Sequence, residues 1–265
     1  MRFNNSILSN YVGLAPIPLA FERYLEAGIY ADCSFEGPVL DIGCGEGLFA
    51  KVVFAEPIDT GIDPDPKELA RAEKLGTYRE LIQCSGDAIC KPDCSYKTVF
   101  SNSVLEHIPD LDPVLIEVHR VLDHGGHFYM TVPTDFFDRY TVVYRSLSTL
   151  RLTGLAERYR RFFNRFWHHY HYYAPEVWIA RVERAGLKVV RSQTYGSKGS
   201  CMLNDALIPF SLIGYVLKRL FNRWSFFPAA RRFVLWPVIR CGSSFLAGKQ
   251  NVPNGGLLFI ECIKP

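Results

Sequence analysis

Between residues 38 and 133, two hydrophobic rhythms follow each other in turn. Short apolar runs bounded by Gly, Asp or Ser have strand length, and the stretches between them space apolar residues three or four apart, as a helix with one buried face requires. The pattern predicts strands at Val39–Ile42, at Pro57–Asp63, within Leu81–Ala88, within Lys97–Ile108 and at His127–Val132. Helices are expected near 47–55, near 66–75 behind Asp65-Pro66, and over Leu111–Leu122, with Gly125-Gly126 closing the last. Such alternation with short connections argues for a parallel sheet covered by helices on both faces. Right-handed crossovers would then gather the loops after the strands along one edge of the sheet.

The flanks read differently. Residues 1–36 contain one helical segment, Pro18–Gly28, placed either over a ligand or simply against the sheet edge. Residues 37–133 form the sheet half described above. Residues 134–173 are too long for an ordinary connection and hold twelve aromatics and seven arginines, the composition of a lid over an active site. Residues 174–195 read as helix, glycine stop and sixth strand. In 196–254, Leu207–Phe221 and Phe226–Arg240 look like apolar helices with cationic edges, and residues 255–265 supply a last strand, Gly256–Ile263.

The chemistry concentrates at Asp41-Ile42-Gly43-Cys44-Gly45-Glu46-Gly47, where a strand turns into a helix. Glycines admit φ > 0 and close approach of a ligand to the main chain, and a helix start offers unpaired N–H groups. A dinucleotide fingerprint would need glycine at 48, where Leu48 stands, and Asp41 suits a ligand bearing an ammonium group better than a pyrophosphate. The ligand implied is not NAD.

With these residues the sequence resembles the class I S-adenosylmethionine-dependent methyltransferases, closely over roughly 37–133 and loosely elsewhere. The resemblance implies a Rossmann-like α/β fold of seven mostly parallel strands with an antiparallel last strand, helices on both faces, a helical lid and a helical insertion between the sixth and seventh strands. It implies S-adenosylmethionine as cofactor, held by Asp41, Gly43, Cys44, Gly45 and Gly47, by Asp63 on the ribose, by Asp87 and Ala88 near the adenine, and by Asn102 after the fourth strand. His107, which follows that strand in Glu106-His107, is a candidate base or pocket wall. Asp135 and His171 are further catalytic candidates, although Asp135 could equally cap the first lid helix. Ser101-Asn102-Ser103-Val104 replaces the Asn-Pro-Pro-Tyr of amide and adenine N-methyltransferases, which favours a small-molecule, glycan or lipid-linked acceptor. Methyl transfer is an in-line displacement for which positioning supplies much of the acceleration, so a base is not obligatory. The contrasting reading is a scaffold that keeps the fold and binds the cofactor without turnover.

Charge sharpens the picture. The net charge of +3 conceals 19 Lys/Arg against 6 Asp/Glu in 134–254, and 11 against 21 elsewhere. A basic, aromatic block of this kind is suited to an anionic membrane surface, with packing on the sheet domain or a homodimer contact as alternatives. The aliphatic residues among its charges disfavour a nucleic-acid track. No run reaches the eighteen or so apolar residues that span a bilayer. The His-x-His at 169–171 has no carboxylate or cysteine close enough in sequence to complete a metal site, so no metal is expected. The eight scattered cysteines suggest reduced thiols and a cytoplasmic protein, peripheral on the inner face of the membrane.

Overall fold

A computed structural model describes residues 1–221 and 223–265. One sheet of seven strands organises it, in the order β3-β2-β1-β4-β5-β7-β6. The strands are β1 Val39–Ile42, β2 Ile58–Asp63, β3 Tyr78–Gln83, β4 Tyr96–Asn102, β5 Leu122–Pro133, β6 Lys188–Tyr195 and β7 Leu257–Ile263. Strands β3-β2-β1-β4-β5 pair in parallel, and β7 runs antiparallel between β5 and β6. This is the Rossmann-like mixed sheet expected from the sequence.

Helices α1 Ile7–Leu14 and α2 Ile17–Tyr30 precede the sheet, and α3 Leu48–Val53, α4 Pro66–Leu75 and α5 Leu111–Val121 cross between its strands. Asp65 caps α4 by accepting from the Lys67 N–H, ahead of Pro66 at the first helical position. The lid holds α6 Val142–Thr149 and α7 Thr153–Phe166. Helix α8 Pro175–Arg184 leads into β6, and the insertion holds α9 Lys198–Leu207, α10 Leu212–Phe221, α11 Pro228–Val234 and α12 Trp236–Leu246.

Two local expectations change. Strand β5 begins five residues earlier than its apolar run, and the register slips between Tyr96↔Leu122 and Thr98↔His127. Gly125-Gly126 therefore lies inside the strand rather than closing α5: Gly125 takes φ +72°, and a Cβ on Gly126 would meet the carbonyl oxygens of Asp123 and Lys97 at 2.8 and 2.9 Å. The glycines make a bulge, which the two-residue alternation of a strand does not reveal. Strand β3 also starts earlier, because an edge strand tolerates exposed polar residues on both faces, here Arg79 and Glu80.

The core has two halves, one on each face of the sheet. Trp178 of α8 lies on one, donating its indole N–H to the Pro133 carbonyl at 3.1 Å. On the other, Phe100 of β4 sits with no exposed surface among the rings of Tyr30, Phe35 and Phe54, at centroid distances of 6.0, 5.7 and 5.8 Å. Edge-to-face contacts of this kind add to area burial, so α2 is held on the sheet largely by aromatic packing. Replacing Phe100 with Ala should cost about 3–5 kcal/mol of stability. Denaturant unfolding checks this, and a loss below about 1 kcal/mol would show that the cluster is not what seats α2.

Candidate active site

The glycine loop is built from below. The N–H groups of Gly43 and Cys44 both donate to the Ile62 carbonyl, at 2.9 and 3.0 Å, which draws the end of β1 against β2. Gly43, Gly45 and Gly47 all take positive φ, at +75°, +52° and +75°. A Cβ on Gly43 would strike Val104 at 2.4 Å and one on Gly47 would strike Thr77 at 2.7 Å, whereas one on Gly45 would meet nothing within 4 Å. The loop is packed tightly on its protein side and open at Gly45. That is the shape of a cradle a ligand can enter, and it fits S-adenosylmethionine.

Asp63, at the end of β2, accepts from the Gly45 N–H at 3.0 Å and the Asp65 N–H at 2.8 Å, one on each carboxylate oxygen. A carboxylate has about four acceptor positions, so two remain for a vicinal diol such as a ribose. Asp63 therefore fixes the loop and still has acceptor capacity to spare, a structural duty that sequence spacing does not disclose. Asp41 is buried at 4% exposure and accepts from the Tyr78 hydroxyl at 2.7 Å. Burial pushes its carboxyl up to about 7, against the lowering by that hydrogen bond, and Asp63 adds to the rise. A cation beside it would restore the ionised form. The Cys44 thiol is buried, with burial holding its pKa well above the usual range, so it is a packing group beneath the loop. Asp87 and Ala88 lie exposed in the turn that follows β3.

Asn102 is placed differently from its expected ligand role. Its amide nitrogen donates to Glu26 at 2.8 Å and its amide oxygen accepts from the Thr131 hydroxyl at 3.0 Å, so the side chain is taken up inside the protein. Glu26, with no exposed surface, also accepts from Arg23 at 2.6 Å, from the Ser103 hydroxyl at 3.0 Å and from the Tyr195 hydroxyl at 3.1 Å. This network locks α2 across the carboxyl ends of β4, β5 and β6. Sequence reasoning missed it, since a glutamate near the end of an amphipathic helix ordinarily faces water. The segment Pro18–Gly28 is thus tied through Glu26 to the ends of β4 and β6.

The three catalytic candidates separate by their hydrogen bonds. Both nitrogens of His171 are engaged: Nε2 faces the Ile108 carbonyl at 2.8 Å and must donate, so Nδ1 accepts from the Tyr173 hydroxyl at 2.8 Å. His171 is buried and burial lowers its pKa, which makes it a neutral post between lid and sheet with no nitrogen left for a base. Asp135 is half-buried beside Arg139 at 3.4 Å. The cap expected of it is supplied instead by Asp205 of α9, which accepts from the Val142 N–H at 2.7 Å at the start of α6. His107 keeps a nitrogen available. Its Nδ1 lies 3.2 Å from the His168 carbonyl and donates there, leaving Nε2 as an acceptor, 3.7 Å from Glu106 Oε1.

Glu106 is a second residue that the sequence did not single out as chemical. It is 4% exposed, its Oε2 has no partner, and burial pushes its pKa up to about 8. Its main-chain carbonyl accepts from the N–H groups of Tyr170 and His171 at 2.8 and 3.3 Å, which brings the aromatic end of the lid directly onto the β4 loop. The lid itself turns on buried Asp138, whose Oδ2 accepts from Arg160 at 2.8 Å and Asn164 at 2.6 Å.

Strand order, the open glycine cradle and the acid at the end of β2 define a Rossmann-like fold with a nucleoside-type cofactor site. Residues 40–130 match the family model described as a methyltransferase domain. A ubiquinone biosynthesis O-methyltransferase of Vibrio atlanticus is 34% identical over 38% of this chain and 46% of its own length. A sterol 24-C-methyltransferase of Aspergillus fumigatus is 34% identical over 38% of this chain and 29% of its own. The match thus spans less than half the length of these relatives. A solved S-adenosylmethionine-dependent methyltransferase of Thermotoga maritima, described as a possible histamine N-methyltransferase, has a TM-score of 0.56 at 17% identity over 94% of this chain and 92% of its own, a likeness of fold. Residues 40–130 thus carry a methyltransferase-domain match within a sheet that has the fold of an S-adenosylmethionine-dependent methyltransferase.

Asp63→Ala should weaken S-adenosylmethionine binding by about 1.5–3 kcal/mol, more than tenfold, because it removes a charge-assisted acceptor. Calorimetry reads this directly, and unchanged affinity would remove the ribose assignment. Asp41 gives the pH dependence. With its carboxyl near 7 in the free protein, capture of an ammonium group below that pH has to release a proton, so affinity should fall as pH drops from about 7 and level off above it. Affinity that is constant from pH 5.5 to 8 would detach Asp41 from the ammonium group.

Proposed function

We propose that this protein transfers the methyl group of S-adenosylmethionine to a nucleophilic atom of a small apolar or lipid-linked acceptor at a membrane surface. The observation that carries this reading is the apposition of two features: the cradle open at Gly45, and the Glu106–His107 corner roofed by the lid through Tyr170 and His171. The cofactor supplies an electrophilic methyl on a sulfonium. Asp41, the glycine loop and Asp63 hold it, and the lid excludes water from the acceptor. His107, whose pKa is lowered by desolvation although its side chain is 41% exposed, offers Nε2 to take the proton an acceptor hydroxyl or amine gives up. Glu106 lies close enough to steer that ring.

The apolar character of the acceptor is argued from the surroundings. The rings of Phe137 and Phe163 lie 6.0 Å from that of His169, which itself stands 5.1 Å from His107. The two relatives above are named as methyltransferases of ubiquinone biosynthesis and of sterols, which suits the same class of acceptor. Membrane placement is supported by the insertion. Phe210, Phe227, Phe233 and Val234 are more than 70% exposed there, and residues 196–254 carry eight Lys/Arg against one acid. Among the described residues no single helix is long and apolar enough to cross a membrane, although Lys198–Ser211 and Gly214–Phe221, bent by 51°, together have the length and composition.

Incubating the protein with methyl-labelled S-adenosylmethionine and a membrane extract should label an organic-soluble product. His107→Ala should lower its rate of formation by about 10²–10⁴-fold with cofactor affinity nearly unchanged. Cofactor binding with no labelled product in lipid, glycan or small-molecule fractions would favour a binding protein that keeps the fold without turnover.

A further inference from the structure

Beyond the cradle, the insertion encloses a cavity of about 540 Å³ between α2 and helices α10 and α11. That is within the size range of ligand sites. Its walls are almost wholly apolar, formed by Ile17, Leu207, Leu217 and Trp224, with Phe210, Phe227 and Val234 among the lining as well. Those last three residues are 76%, 75% and 72% exposed, so the cavity opens among unburied apolar side chains rather than among polar ones. A hydrocarbon chain entering it would come from an apolar phase.

One cation lies in this lining. Arg231 is half-buried, and among the described residues its guanidinium has neither a hydrogen bond nor an ion-pair partner. Three basic groups of the insertion outside this lining have partners: Lys218 pairs with Glu46 at 3.1 Å, Arg232 donates to Asn10 at 3.1 Å, and Lys249 stands 3.6 Å from the Phe245 ring centroid. The single acid of 196–254, Asp205, is turned inward to cap α6. No carboxylate of the insertion therefore competes for an anion at Arg231. An unpaired guanidinium beside apolar walls is the arrangement that an amphiphile with a negative head would complete.

We propose that this cavity is a binding site for an anionic membrane phospholipid, with an acyl chain among Ile17, Leu207 and Trp224 and the phosphate at Arg231. It deepens the membrane placement proposed above and does not depend on methyl transfer. The site also adjoins the cofactor cradle, because Trp224, one of its walls, donates its indole N–H to Glu46 of the glycine loop at 2.9 Å, and Lys218 meets the same carboxylate.

Vesicles of phosphatidylglycerol and of phosphatidylcholine, each with brominated acyl chains, test this on the full chain at low salt. The expected result is flotation with phosphatidylglycerol and quenching of tryptophan fluorescence by its chains, with little of either for phosphatidylcholine. Arg231→Gln should reduce phosphatidylglycerol binding about fivefold, the share of one cation near an anionic surface. Gly214→Leu should abolish most of the quenching while flotation largely persists; a Cβ there has ordinary contact with Trp224 at 3.5 Å, so the larger side chain enters the cavity without breaking the helix. Cofactor affinity, measured in each variant, reports that the fold is intact. Wild-type protein that ignores phosphatidylglycerol, or that is quenched equally by both lipids, would overturn the proposal. So would the two variants behaving as wild type. Lipid binding in a protein that shows no cofactor binding would instead overturn the methyltransferase reading and leave this one standing.

Discussion

A carboxylate with no exposed surface has to be repaid by its partners, and Glu26 sets the terms for one whole edge of this molecule. Arg23 from its own helix, Asn102 and Ser103 from the end of β4, and Tyr195 from the end of β6 all donate to it, and Thr131 of β5 reaches it through Asn102. Three strands that meet far apart in the chain are thereby given one common terminus, roofed by α2. The aromatic cluster around Phe100 seats the same helix from the sheet side. The cradle and the lid can face each other because the strand ends between them are held level.

A second constraint works on the other side of β1. Asp63 holds the Gly45 N–H, the Ile62 carbonyl holds those of Gly43 and Cys44, and Val104 closes the space beneath Gly43. All of these contacts lie within the protein, so the loop's shape does not rest on a ligand's own bonds, which lowers the ordering cost of binding. The insertion touches the same loop from outside, through Trp224 and Lys218 on Glu46. Cofactor loop, lid and insertion are thus three neighbours of one sheet edge rather than separate modules.

Much of this was legible in the residues. The alternation of rhythms from 38 to 133 located five strands in order, and Asp41 with its three glycines located the turn from β1 into α3, because turns that need positive φ leave few residue choices. Length and aromatic content marked 134–173 as more than an ordinary connection, and it holds two helices of its own. What escaped was whatever depends on distant partners. Glu26 reads as a solvated helix position until donors 76 and 169 residues away are placed around it. Asn102 looked like a ligand group because its amide is suited to one, yet that amide is consumed by Glu26 and Thr131. His171 likewise has the chemistry of a base but both of its nitrogens are bound. The bulge at Gly125-Gly126 escaped for a local reason, since an extra residue in a strand leaves no periodic trace. For the insertion, the apolar faces were compatible with burial and with a membrane alike, and burial accounts for only some of them: Leu203, Leu207, Val238 and Ile239 pack against the core, while Phe210, Phe227 and Phe233 are exposed.

The claim on which the rest turns is that the space above Gly45 is where the cofactor sits. Isothermal titration of S-adenosylmethionine into the wild-type protein and into Gly45→Val measures it, since valine both opposes φ +52° and fills the one direction in which a side chain meets nothing. The expected result is one site per chain in the wild type and no measurable binding in the variant, with the unfolding transition retained. Equal binding by the two proteins would contradict the account.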